Sequence, residues 1–222
     1  MNLKSLAKDT ALYGLSSIVG RFLNYLLVPV YTLKIAAESG GYGIVTNLYA
    51  YTALLLVILT FGMETTLFRF SNKDGEDGKM VYSTTLRMVG LVALAFIALV
   101  LGFLRPLSGA LGYADHPEYI ACMALIVAQD AFQAIMFSRL RQQQRPVRFV
   151  ALKFAFIIPN VLLNLALFLL PHTAYEALWV KYNYGVGFIF FVNLVCTTLV
   201  TLLFIPEIRG IFYGWDKKLA GR

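Results

Sequence analysis

Six side chains able to carry charge or several hydrogen bonds fall inside stretches otherwise suited to hydrocarbon: Arg21, Asn24, Arg87, Asp130, Gln133 and Asn160. Arg21 is the most demanding of them. A charge at the centre of a membrane helix costs roughly 2.5–3.5 kcal/mol on insertion scales, so such a residue faces a cavity or a partner rather than lipid. Gly14, Ser17, Arg21, Asn24, Val28 and Tyr31 recur at steps of three or four and share one helix face. That face predicts a solvated, positively lined cavity inside a helical bundle. Pro29, further along the same stretch, removes a backbone hydrogen bond and predicts a kink.

Helix rise places these groups in depth. Counted from the presumed cytoplasmic end of each span, Arg21 lies about 15 Å in, Asp130 about 12 Å, Asn160 about 17 Å and Asn193 about 18 Å. Arg21 and Asp130 are thus of opposite charge at similar depth. One reading pairs them across the cavity, so that protonation of Asp130 or arrival of an anion frees Arg21. The other makes them a structural ion pair. Gln129, Asp130 and Gln133 form a polar patch by their spacing, as do Asn160 with Asn164 after Pro159, and Asn193 with Thr197 and Thr201. These amides suit sugar hydroxyls, and equally suit hydrogen bonds between helices, worth about 0.6–2 kcal/mol each. Arg87, about 10 Å into the third span, is within snorkelling reach of the interface.

The elements that must position these residues are membrane helices. Of 222 residues, 59% are hydrophobic and 14% charged, against about 25% charged in soluble domains. The mean hydropathy is +0.71. All-α spans are expected at about 11–35, 42–68, 80–104, 118–137, 149–170 and 182–205, preceded by an amphipathic lead-in (1–10) and followed by a charged tail (207–222). The bilayer sets this scale, since about 20 helical residues cross about 30 Å of hydrocarbon. The first apolar run is too long for a cleaved signal and contains Arg21, so it is expected to stay as a span. Cys122 and Cys196 lie in apolar runs and read as small buried hydrophobes.

The net charge of +7 does not indicate nucleic acid, because the cations gather in alternate loops. With the N-terminus inside, Lys4, Lys8, Arg69, Lys73, Lys79, Arg139, Arg141, Arg145, Arg148, Lys153, Arg209, Lys217, Lys218 and Arg222 fall on the cytoplasmic side. Only Lys34, Arg105 and Lys181 fall on the other. The positive-inside rule then puts both termini in the cytoplasm. The RLRQQQRPVR segment is read as a basic loop, with a possible grip on anionic headgroups as a second reading. Glu64 and Arg69 are five residues apart and do not face one another. No role is assigned to His116 or His172. The chain has no His-Glu-x-x-His, Gly-x-Ser-x-Gly or phosphate-loop motif, and SGGYG at 39–43 suits a turn. No enzyme, metal or cofactor is expected.

The opening LAKDTALYGLSSIVGRFLNYLLVPVYT, then YGIVTNLYAYTALLLVILTFGMETTLFRF, and PEIRG after the last span resemble the N-terminal lobe of bacterial polysaccharide-biosynthesis flippases. These belong to the superfamily of the multidrug and toxic-compound extruders and the lipid II flippases. The resemblance covers nearly the whole chain. It implies one six-helix lobe of a two-lobe transporter in the bacterial inner membrane. The implied cargo is a lipid-linked oligosaccharide of the undecaprenyl-pyrophosphate type, turned from the cytoplasmic to the periplasmic leaflet. Basic cavity residues for the pyrophosphate map onto Arg21 and Arg87. An even number of spans suits parallel repeats, so a second six-helix lobe, from a C-terminal half or another copy, is the expected partner alongside membrane lipids. Half of a cation-coupled multidrug antiporter, with Asp130 as its acidic residue, is one alternative. A membrane scaffold that transports nothing is another.

The orientation is testable with single-cysteine variants in sealed vesicles. Cysteines at Arg105 and Lys181 should react with an impermeant maleimide from one side only, and a cysteine at Arg145 from the other side only.

Overall fold

The computed structural model describes residues 12–16, 18–20, 22–23, 25–35, 41–71, 73, 77–171 and 176–214. Every regular element among them is helical. In a bilayer each backbone N–H and C=O must be satisfied within the protein, and a helix does this within a single segment. Five stretches are long and apolar enough to cross: Gly41–Ser71, Gly78–Gly102, Pro117–Gln142, Pro146–Leu169 and Val186–Leu203. The chain is therefore a polytopic helical membrane protein.

The expected first span, 11–35, lies partly outside the described residues, which include neither Arg21 nor Asn24. Its described parts are helical, with a turn at Leu26 before α1 (Leu27–Lys34). Pro29 sits in the first turn of α1, where its missing N–H is tolerated. The second span departs from the single helix expected over 42–68. It runs as α2 (Gly41–Thr60) and α3 (Met63–Ser71), divided at Phe61 and Gly62, both with positive φ. The third is α4 (Gly78–Gly102), started by the Asp77 carboxylate accepting from the Lys79 amide at 2.9 Å. The span is expected to end at 104, but helix resumes there as a short α5 (Leu104–Ala110), with Pro106 in its first turn.

The fourth span is α6 (Pro117–Gln142) and the fifth α7 (Pro146–Leu169), each opening on proline, whose φ suits a helix start. The basic segment read as a loop is mostly helix, since α6 continues through Arg139 and Arg141. The sixth span starts later than the expected residue 182. A short α8 (Glu176–Lys181) precedes a left-handed turn at Asn183, Tyr184 and Gly185, and α9 is Val186–Leu203. Pro206 then opens α10 (Ile205–Ile208), followed by a 3-10 turn at Arg209–Tyr213.

α6 is the hub, packing against α2, α4 and α9, and α9 also packs along α7. At one end of the bundle Leu67, Leu86, Ile135, Met136, Leu140 and Phe204 form a core. There Phe137 meets Phe149 and Phe204 edge-on, with centroids 5.1 and 4.8 Å apart. At the other end Leu48, Tyr119, Phe168, Trp179 and Phe190 form a second core. The outward faces of α2 and α4 carry exposed Leu54, Val57, Leu91 and Leu94, the surface a hydrocarbon solvent selects.

The 205–214 segment is fastened to the arginine-rich end. The Tyr82 hydroxyl donates to the Glu207 carbonyl at 3.0 Å, and Ser83 donates to the Ile211 carbonyl at 2.8 Å and the Gly214 carbonyl at 2.6 Å. Arg148 grips the buried Glu207 carboxylate in a fork, Nε to Oε1 at 2.6 Å and Nη2 to Oε2 at 2.8 Å. Such bidentate charge-assisted pairs are the strong class of hydrogen bond.

Gly185 has φ +94°, and a Cβ built there would lie 2.5 Å from Trp179 Cη2. Gly185→Ala is expected to lower stability by about 1–3 kcal/mol, the usual range for a strained backbone position. The check is a reduced thermal midpoint in detergent, with Gly109→Ala, where a Cβ meets open space, as the control.

Candidate functional site

Two polar chambers, each partly open at the protein surface, lie side by side along one face of α7. The first, about 380 Å³, is charged. Its lining includes Glu64 of α3, Asp130, Gln133 and Arg141 of α6, and Lys153 of α7, closed in by Phe137, Phe149 and Phe156. Asp130, Gln133, Phe137 and Arg141 reach it together because steps of three and four keep them on one face of α6. Glu64 is fixed by Ser138 Oγ at 2.8 Å and Arg141 Nη2 at 2.7 Å, so its partner is not Arg69, in keeping with the five-residue spacing. The Lys153 ammonium sits 4.2 Å from the Phe137 ring centroid, within the range of a cation–π contact. Asp130 and Lys153 are near enough to act on each other electrostatically. They form no direct salt bridge among those described.

The second chamber, about 250 Å³, is uncharged but rich in hydrogen-bonding groups. Tyr31, Tyr42 and Tyr49 face Asn160, Asn164 and Asn193 across it. Asn193 donates to the Tyr49 hydroxyl, and Asn164 donates to the Asn160 carbonyl at 2.8 Å. The Asn164 Oδ1 is buried with no hydrogen-bond partner, a costly state for an amide oxygen.

Of the residues singled out in the sequence, Asp130 and Gln133 meet in the charged chamber, and Asn160 lines its uncharged neighbour. Arg87 belongs to neither. It lines an apolar groove of about 590 Å³ with Gln129 and Phe132 of α6. Its guanidinium is turned onto the Ile211 carbonyl, with Nε at 2.8 Å and Nη2 also donating. Arg87 therefore holds the 3-10 turn that follows the last span. Arg21 and Asn24 lie outside the described residues, as does the expected Arg21–Asp130 pair.

The amides divide between the two roles open to them. Gln133 is buried and its Nε2 donates to the Thr197 carbonyl at 3.0 Å and Thr201 Oγ1 at 2.8 Å, while Thr201 Oγ1 also lies 3.0 Å from Gln129 Oε1. This is a stitch between α6 and α9. Asn160, Asn164 and Asn193 instead keep part of their surface on a chamber. Lys153 was sorted among the loop cations, and its place was legible in the spacing: it stands seven residues before Asn160 and eleven before Asn164, on the same helix face. The three tyrosines carried no such mark, since tyrosine is also common at membrane interfaces.

Comparison with protein-family models, curated proteins and solved structures gave no match.

Gln133→Leu should lower stability by about 0.6–2 kcal/mol, the worth of an interhelical hydrogen bond in lipid. In a double-mutant cycle with Thr201→Val the two losses should be less than additive. Denaturant titration in detergent reads both.

Proposed function

We propose that this chain is one lobe of a membrane transporter whose cargo is an anionic, lipid-linked oligosaccharide, passed from the cytoplasmic to the periplasmic leaflet. The observation that carries the reading is the charged chamber: an ammonium and a carboxylate kept inside an apolar bundle without a direct bond to each other. Ionisable groups at membrane depth line ion or substrate pathways by default, since burying them otherwise carries a cost. Lys153 supplies a fixed cation in a medium of low dielectric, where it attracts phosphate oxygens more strongly than it would in water. The resemblance of the opening, the second span and the PEIRG segment to flippase lobes supports the choice of cargo. The basic 139–148 segment supports a cytoplasmic placement of that end. A second lobe completes the cavity in this reading, and alternating access is a rocking of one lobe against the other.

Asp130 favours a second reading, half of a cation-coupled antiporter. Its carboxylate has no direct hydrogen bond or salt bridge among those described, which leaves it available to a cation. The scaffold reading has no comparable observation in its favour.

Transport of a fluorescent lipid-linked oligosaccharide in proteoliposomes, with the partner lobe present, separates these. Lys153→Gln should reduce anionic-lipid flipping at least tenfold with normal insertion, and Lys153→Arg should restore part of it. Asp130→Asn abolishing transport of an organic cation, with flipping absent throughout, would select the antiporter. Unchanged flipping in Lys153→Gln and Arg21→Ala would remove the transport reading of these cations.

A further inference from the structure

Among the described residues a single side chain lines both chambers: Phe156 of α7. One turn before it stands Lys153 in the charged chamber, and one turn after it stands Asn160 in the amide–phenol chamber. Lys153 and Asn160 are separated by about 10 Å of helix rise. Polar surface thus continues along α7 on either side of the phenyl ring and is interrupted at it. An apolar side chain standing in a polar path hinders water, and hydrophobic constrictions in channels gate by dewetting.

The backbone beneath the ring is also the weakest point of α7. Pro159 lies within the helix and has no N–H, so the Ala155 carbonyl four residues earlier lacks its helical donor, and the ring of Pro159 crowds that carbonyl. The turn carrying Phe156 is therefore less constrained than the turns around it. Phe156 is itself only half-buried, unlike Phe168 further along the same helix, which is fully buried. The aromatic residues of the end cores are held by edge contacts, as Phe137 is by Phe149 and Phe204.

We infer that Phe156 is a partition closing a single solvent route along the inner face of α7, separating the charged chamber from the amide–phenol chamber. Displacing the ring joins them. The inference goes beyond the proposed cargo and holds for any solute the lobe handles. We take the charged chamber as the wet side, because its Glu64 and Arg141 side chains are 39% and 40% exposed while Asn160 and Asn164 on the other chamber are 7% and 1% exposed. The amide–phenol chamber is the guarded side, and its unpaired Asn164 oxygen is among the groups that incoming water would satisfy.

The test uses the full chain in membrane vesicles with both native cysteines replaced (Cys122→Ser, Cys196→Ala) and one reporter cysteine at a time. Val45→Cys reports on the amide–phenol chamber and Ala134→Cys on the charged chamber, both being lining positions. The probe is a membrane-impermeant trimethylammonium methanethiosulfonate applied at the arginine-rich side. With Phe156 in place, the Ala134→Cys reporter should react quickly and the Val45→Cys reporter slowly. Phe156→Ala should raise the Val45→Cys rate at least tenfold and leave the Ala134→Cys rate within about twofold. Phe156→Trp should keep it slow. Phe156→Val, a smaller loss of volume, should give an intermediate rate and serves where the alanine variant does not accumulate. Rapid Val45→Cys labelling with Phe156 intact would overturn the inference, as would an unchanged rate in both the alanine and valine variants. Equal acceleration at both reporters would mean general loosening and would also overturn it.

Discussion

A bilayer offers no water to a stranded charge or amide, and that constraint fixes the rotation of the central helices about their own axes. α6 must turn Asp130, Gln133 and Arg141 inward, and α7 must do the same with Lys153, Asn160 and Asn164. Because each set lies on one helix face, satisfying one member of a set places the others. The apolar contacts then follow: Ile135 and Met136 lock one side of α6 into the core, and exposed Leu91 and Leu94 of α4 are left for lipid. The polar seam is thus as much a packing instruction as it is a site. Its stitches are individually weak, yet an unmet amide in hydrocarbon would oppose any other rotation.

The charged residues divide by what holds them. Arg148 and Glu207 satisfy one another through two short hydrogen bonds, and Glu64 is met by both Ser138 and Arg141. These are closed arrangements that fasten one element to another. Asp130 and Lys153 are near each other without that closure, and Lys153 rests on an aromatic face. A cation held by a ring is more easily drawn to a new anion than one already forked onto a carboxylate, since a cation–π contact is worth only about 0.5–2 kcal/mol. The chamber's character comes from this difference in how the charges are satisfied, and a count of charges would miss it.

Much of the architecture was legible in the amino-acid order. Hydropathy and length located the five crossing helices that the structure describes, and spacing grouped Asp130 with Gln133, whereas Gln129 lines the groove with Arg87 and is linked to Gln133 through Thr201. Element ends were less legible. Spans are expected to end at 104 and 205, yet at each the chain turns into a new short helix with Pro106 or Pro206 in its first turn, which needs no proline N–H. The break at Phe61–Gly62 and the turn at Asn183–Gly185 depend on left-handed backbone that composition hardly signals within an apolar run. Arg87 shows a different limit. Its depth was estimated from the sequence, but its acceptor is the carbonyl of Ile211, far along the chain, and no local pattern could name that acceptor.

The division of the second span into two rods has a mechanical corollary. Glu64 rides on the short rod, while Tyr49, on the guarded chamber, rides on the long one. The two rods are anchored separately: Glu64 is tied to Ser138 and Arg141 of α6, and Tyr49 accepts from Asn193 of α9. One span thus serves two addresses, each rod aimed by its own partner, and the left-handed pair between them lets the two aims differ.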